Sequence, residues 1–227
     1  MPRLPELIRV GHRGAPALAT DNTLESFDAA AAIGVDMIEF DVLAGRTRPS
    51  ELFVAHDYGA LARNPTLRLA DALAHFATPA FDGIRLQIDI KRGGVEEGVV
   101  AALDVSGTRG RAFISTGVRG VLTRMRTIAP DIPRGWTVPD LPLINELPAV
   151  GRLYRAGIPQ RAAARIRAGA IDAIVAHWSV VTQHLVEAVG AAGGEIYVWT
   201  VDDAKLIQRL AALGVTGVIS NDPRLFG

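Results

Sequence analysis

Two of the five histidines in this chain end short apolar runs and stand beside a second ionisable residue: His12 precedes Arg13 and Gly14, and His56 precedes Asp57. An imidazole titrates near neutral pH, a guanidinium presents a fixed fork of donors, and a following glycine lets a ligand approach the backbone. His12-Arg13-Gly14 is therefore equipped for an anion. In "MIEFDV" Glu39 and Asp41 alternate with apolar residues, so both project from one face of a strand. Two carboxylates held together repel unless a cation or protons intervene. The alternative is that each meets an arginine or lysine at the rim. "LQIDIK" repeats the pattern with Asp89 and Lys91. These are either a local ion pair, or a third carboxylate for Mg²⁺ or Ca²⁺ with Lys91 as a fixed charge beside a bound anion. Two imidazoles could act as general acid and general base, while a cation, Arg13 and Lys91 hold charge on a phosphoryl oxygen. Trp199 in "YVWTVDD" ends another run, as a wall of the site or as core packing. His177 and Trp178 in "VAHWS" are a further candidate for pocket lining, whereas His75 and His184 fall in helical patterns and read as surface or packing residues.

These residues need elements that carry them to one place. Apolar runs at 8–12, 37–42, 84–90, 112–115, 134–138, 173–176, 196–201 and 217–220 read as strands. Helical patterns fill the intervals at 23–33, 69–76, 96–103, 119–128, 160–167, 182–191 and 203–213. Strict alternation argues for a parallel sheet, and eight strands for a closed (β/α)8 barrel whose site lies at the C-terminal strand ends. "LFVAHD" at 52–57 follows the second strand too closely for a crossover helix and is expected to pair with it. The proline-rich stretch 138–159 is expected to be irregular. With no linker, repeat or low-complexity tract, residues 1–227 read as a single domain.

Composition narrows the function classes. Twenty-four basic residues balance twenty-four acidic ones, and without a basic run nucleic acid is not an expected partner. The absence of cysteine excludes disulfides, thiolate metal sites and a cysteine nucleophile. No apolar stretch reaches the length of a membrane span and the N-terminus lacks an apolar signal core, so a cytoplasmic enzyme without integral membrane association is expected.

The motifs also occur together in a known family. "GHRGAPALATDNTLESFDAAAAIGVDMIEFDV", "FVAHD" with "LAR" after it, "LQIDIK", "VWTVDD" and "GVTGVISNDP" run the length of the chain in the order seen in glycerophosphodiester phosphodiesterases, which the chain resembles. The resemblance implies a (β/α)8 barrel that hydrolyses glycerophosphodiesters to glycerol 3-phosphate and an alcohol with one divalent cation, Mg²⁺ or Ca²⁺, with Mn²⁺ a third candidate. It implies His12 and His56 as the acid–base pair, Arg13 and Lys91 at the phosphate, and Glu39, Asp41 and Asp89 at the metal. His12 is favoured as the acid and His56 as the base, with the reverse assignment as the alternative.

Four departures accompany the resemblance. Asp21-Asn22-Thr23 stands for Glu-Asn-Thr, Asp89 for a glutamate, and Ser220-Asn221-Asp222-Pro223 for Thr-Asp-x-Pro; a glycine-rich loop after His-Asp is missing. Two alternatives follow. A lysophospholipase D would need an apolar trough at the barrel mouth. A weakly active, phosphate-ligand-binding member would draw on the changes at Asp89 and Asn221.

Overall fold

In the computed structural model, which describes residues 7–63, 67–138 and 154–227, the apolar runs form a closed ring of eight parallel strands. These are β1 (Ile8–His12), β2 (Met37–Ala44), β4 (Arg85–Ile90), β5 (Ala112–Thr116), β6 (Arg134–Thr137), β7 (Ala173–His177), β8 (Glu195–Trp199) and β9 (Gly217–Ser220). β1 pairs with both β2 and β9, which closes the ring and leaves it no free edge. One further strand, β3 (Leu52–Val54), lies antiparallel on β2, with Val42 opposite Val54 and Ala44 opposite Leu52.

Helices α1 (Leu24–Ile33), α3 (Leu69–Phe76), α4 (Glu96–Ser106), α5 (Arg119–Ile128), α6 (Ile158–Arg167), α7 (Gln183–Gly190) and α8 (Ala204–Leu213) surround the ring. Three of them, α1, α7 and α8, start on a side-chain cap. Thr23 Oγ1 accepts from Ser26 N at the head of α1, and Asp203 Oδ1 accepts from Leu206 N at the head of α8. The expected pairing of 52–57 with β2 is met over Leu52–Val54, and the helix α2 (Tyr58–Arg63) begins just beyond it. Asp57 caps it by accepting from Ala60 N at 2.7 Å, so the chain leaves the sheet after Val54. The stretch expected to be irregular falls largely on 139–153, outside the described residues.

Three packed regions support the ring, two of them under or beside the strands that carry the site. Between its outer wall and α1 and α3, the rings of Phe27, Phe40 and Phe76 stack with centroids 4.8 Å apart for Phe27–Phe76 and 5.3 Å for Phe40–Phe76, all fully buried. Truncating one such ring to alanine costs about 3–5 kcal/mol. Inside the ring, Met37, Phe113, Val175, Tyr197 and Ile219 form a plug, with Phe113 and Tyr197 at 5.2 Å. The Tyr197 hydroxyl is satisfied at depth, donating to Glu195 and accepting from Arg85. That plug is an apolar floor, and the strand ends above it face one shared space.

Candidate active site

The first loop explains why the chain spells His-Arg-Gly. Arg13 adopts φ +51° and Gly14 φ +91°. A Cβ on Gly14 would stand 2.3 Å from Ser26 Oγ, so only glycine fits. Ser26 Oγ donates to the Arg13 carbonyl at 2.9 Å and accepts from Ala15 N at 2.8 Å, which pins the turn to α1. A second left-handed residue, Asn22 at φ +58°, donates its N–H to the same carbonyl at 3.0 Å. Two non-glycine residues in this region of φ/ψ space within one loop are strain held in place by the surrounding fold. The strain positions polar groups. Arg13 N donates to Glu39 Oε2 at 2.9 Å, and its guanidinium lies between Asp21 (Nη1–Oδ2 3.1 Å) and Asp41 (Nε–Oδ2 2.9 Å).

Glu39 and Asp41 share the inner face of β2, and the parallel register sets Asp41 directly beside Asp89 on β4. All three carboxylates are buried, and one oxygen from each lies within 4.8 Å of the others. Lys91 Nζ bridges Asp41 Oδ1 at 2.6 Å and Asp89 Oδ2 at 2.5 Å. Ser115 Oγ and Thr137 Oγ1 donate to Asp89 Oδ1 at 2.7 and 3.2 Å, and Asn22 Nδ2 donates to Asp41 Oδ2 at 2.9 Å. These residues are thus ion-paired, and their three carboxylates form a buried cluster that could hold a metal ion. Three carboxylates meet one ammonium and one guanidinium that is shared with Asp21, so at least one negative charge would be uncompensated. It would fall on Glu39, and burial with neighbouring Asp41 instead holds that carboxyl well above its ordinary range, in its protonated form. Burial acts on Asp41 too, but Lys91 and Arg13 outweigh it and hold that carboxyl low. Burial acts against the Lys91 charge, and Asp89 followed by Asp41 outweighs it and holds the ammonium protonated. A buried all-oxygen cluster short of one positive charge suits a hard divalent cation.

The two histidines approach this cluster from different elements. His12 ends β1, with Nε2 3.9 Å from Glu39 Oε2 and Nδ1 2.7 Å from Asn221 Oδ1. Burial, followed by the charge of Arg13, lowers its pKa below the ordinary 6.5. His56 lies between β3 and α2, with Nδ1 3.2 Å from Asp57 Oδ2. Its side chain is 43 % exposed, against 16 % for His12. Both histidines, Arg13, Glu39, Asp89 and Lys91 line one cavity of about 190 Å³. Trp199 and Gln87 line it as well, while Asp41 sits behind Arg13 and Lys91.

The other candidates lie apart from the cavity. His177 is bound to Ser179 Oγ at 2.7 Å and packs edge-on against Trp199 at 5.4 Å, backing that wall. Trp178 is exposed. His75 bonds Asp28 at 2.7 Å over the Phe81 ring, and His184 meets Gln160. Sequence reasoning missed Ser115 and Thr137, which hold Asp89, although a hydroxyl at the end of a buried run such as "AFIST" is itself a signal. It also gave Asn22 no role, although Asn22 holds Asp41 through both ends of its amide.

Comparison with known proteins places the chain in a family. The model of the glycerophosphoryl diester phosphodiesterase family matches residues 12–68 and 84–225. A glycerophosphodiester phosphodiesterase from Caldanaerobacter subterraneus subsp. tengcongensis is 25% identical over 249 residues, covering 94% of this chain and 93% of its own. GDPD4, a glycerophosphodiester phosphodiesterase of Arabidopsis thaliana, is 26% identical over 242 residues, covering 95% of this chain and 70% of its own. Among solved structures, a phosphodiesterase of Oleispira antarctica in complex with the product sn-glycerol-3-phosphate superposes with a TM-score of 0.73 at 21% identity, covering 97% of this chain and 94% of its own. With the family match spanning most of its length, the chain belongs to the glycerophosphoryl diester phosphodiesterase family.

Proposed function

We propose that the protein hydrolyses glycerophosphodiesters to glycerol 3-phosphate and an alcohol, with one divalent cation at Glu39, Asp41 and Asp89 and with His12 and His56 as the acid–base pair. The observation that carries this reading is the meeting of two imidazoles, the carboxylate cluster, Arg13 and Lys91 around one cavity. The sn-glycerol-3-phosphate in the Oleispira antarctica relative supports the same product here. When bound, the cation (Mg²⁺, Ca²⁺ or Mn²⁺) would act as a Lewis acid and lower the pKa of an attacking hydroxyl. Arg13 and Lys91 set positive charge beside the non-bridging phosphate oxygens. Trp199 is the wall against which the glycerol carbons rest.

Proton traffic follows from the surroundings of each ring. His12 is buried beside Arg13 and therefore neutral near pH 7, which suits it to take a proton from the attacking hydroxyl. His56, at the more open side next to Asp57, suits protonation of the departing alcohol. This reverses the sequence-based choice of His12 as acid. Turnover of glycerophosphodiesters with different alcohols, together with a lysolipid, tests the proposal. Release of glycerol 3-phosphate that stops in excess chelator and returns with Mg²⁺, Mn²⁺ or Ca²⁺ is expected. Full activity in chelator removes the cation from the mechanism, and turnover of the lysolipid alone moves the protein to the lysophospholipase D class.

A further inference from the structure

The last strand ends in an amide, Asn221, where the resemblance led to a carboxylate. His12 Nδ1 lies 2.7 Å from Asn221 Oδ1. An amide side chain offers one accepting atom and one donating atom, and by itself it does not decide which of them meets the ring. Asp202, just after β8, decides it. Its Oδ2 accepts from Asn221 Nδ2 at 2.6 Å, and its Oδ1 accepts from Asn221 N at 2.8 Å and from Ser220 Oγ at 3.0 Å. A carboxylate has only acceptors to give, so the NH₂ group must face Asp202 and the carbonyl oxygen must face His12. The ring then has to donate from Nδ1 in either charge state. In the neutral ring the lone pair is on Nε2, the nitrogen on the side of Glu39.

We propose that Asp202 is a positioning residue for this reaction, acting through Asn221 to hold His12 in its Nδ1–H tautomer with Nε2 free to accept a proton. The charge that is absent at position 221 is thus present one link further out. Without Asp202 the amide can turn over, donate to Nδ1 and leave the proton on Nε2, which is a ring that cannot act as a base. The role of Asp202 is orientation: it is exposed and keeps its own solvation. The inference rests on the reading of His12 as a proton-transfer group.

The test is Asp202→Ala, with the reciprocal pair Asp202→Asn/Asn221→Asp as its rescue. In the pair the carboxylate at 221 accepts directly from Nδ1, and the amide at 202 donates to that carboxylate. In cation-free protein, ¹⁵N spectra should show His12 protonated on Nδ1 in the wild type and in the reciprocal pair, with that preference lost in Asp202→Ala. kcat should fall by about tenfold or more in Asp202→Ala with KM changed less than about twofold, and the pair should recover most of the loss. The proposal is overturned if His12 keeps the Nδ1–H form in Asp202→Ala. It is also overturned if the pair melts like wild type yet restores neither tautomer nor kcat. Should the wild type hydrolyse no glycerophosphodiester, the functional reading fails while the tautomer measurement still judges Asp202.

Discussion

Glu39 is the residue at which stability and function can be set against each other. Its carboxyl is buried beside Asp41 and Asp89, and its pKa stands well above the ordinary 4.5. Below pH 4.5 the group is protonated in folded and unfolded chains alike and costs nothing. Above it the unfolded chain releases the proton and the folded, cation-free protein does not, so stability falls as pH rises towards the folded pKa. Each unit between the two pKa values is worth about 1.4 kcal/mol, which is about 3–5 °C in melting temperature for a chain of this size. Glutamine has the shape of the protonated acid and its carbonyl can still accept from Arg13 N, so Glu39→Gln removes the penalty and leaves the packing unchanged. In chelator at pH 8 the variant should melt several degrees above wild type, and at pH 4 the two should coincide. Excess Mg²⁺ should raise wild type relative to the variant. A ligand at 100 times its Kd adds about 2.7 kcal/mol to the protein that binds it, and the variant lacks that ligand oxygen. Differential scanning calorimetry at both pH values, with and without Mg²⁺, reads all four cases. If wild type is the more stable protein in chelator at pH 8, Glu39 is ionised and paired, and the assignment of the uncompensated charge is wrong. If Mg²⁺ stabilises both proteins equally, Glu39 is not a ligand.

Three further outcomes are expected. Asn22→Ala places alanine at φ +58° and removes two hydrogen bonds to Asp41, so a loss of about 2–4 kcal/mol in chemical denaturation should accompany weaker cation binding by calorimetry, with Asn22→Gly recovering about 1 kcal/mol of backbone strain. Because His12 must be neutral to accept a proton, the acid limb of kcat/KM should lie below pH 6.5, with activity lost as pH falls through it; a limb above 6.5 contradicts His12 as the base. A propanediol phosphodiester lacking the hydroxyl next to the phosphoester should bind but turn over very slowly, since an internal nucleophile has an effective molarity that can reach roughly 10⁵ M; comparable turnover of both substrates points to direct attack by water.

The barrel was legible because each strand keeps its apolar character within a few residues and the helices headed by Thr23, Thr182 and Asp203 carry their own caps, both of which are local properties. The shared face of Glu39 and Asp41 was legible for the same reason, since alternation along one strand needs no partner. What escaped the reading is made by closure. His12 and Asn221 are 209 positions apart and meet only because β9 comes round to β1. Ser115 and Thr137 reach Asp89 from the two following strands, at separations of 26 and 48 residues. The ion pairs of Lys91 could be guessed for Asp89, two residues away, but not for Asp41, which depends on the register of β2 against β4. His177 ends a strand as the site residues do, yet its neighbours are Ser179 and Trp199, and nothing in "VAHWS" distinguishes that outcome.

The short antiparallel strand β3 separates two properties that usually change together. His56 belongs to a flap folded back on β2, and Ala55 N donates to the carbonyl of Asp41 at 3.1 Å, so the flap is registered against the strand that bears Glu39 and Asp41. The turn that joins the two strands, at 45–51, exposes most of its residues and includes Arg46 and Arg48. Its length can change without shifting His56, because the ladder, and not the turn, fixes where the flap ends. The rim beside His56 can therefore be remodelled while the spacing of this proposed proton donor from Glu39 and Asp41 stays constant.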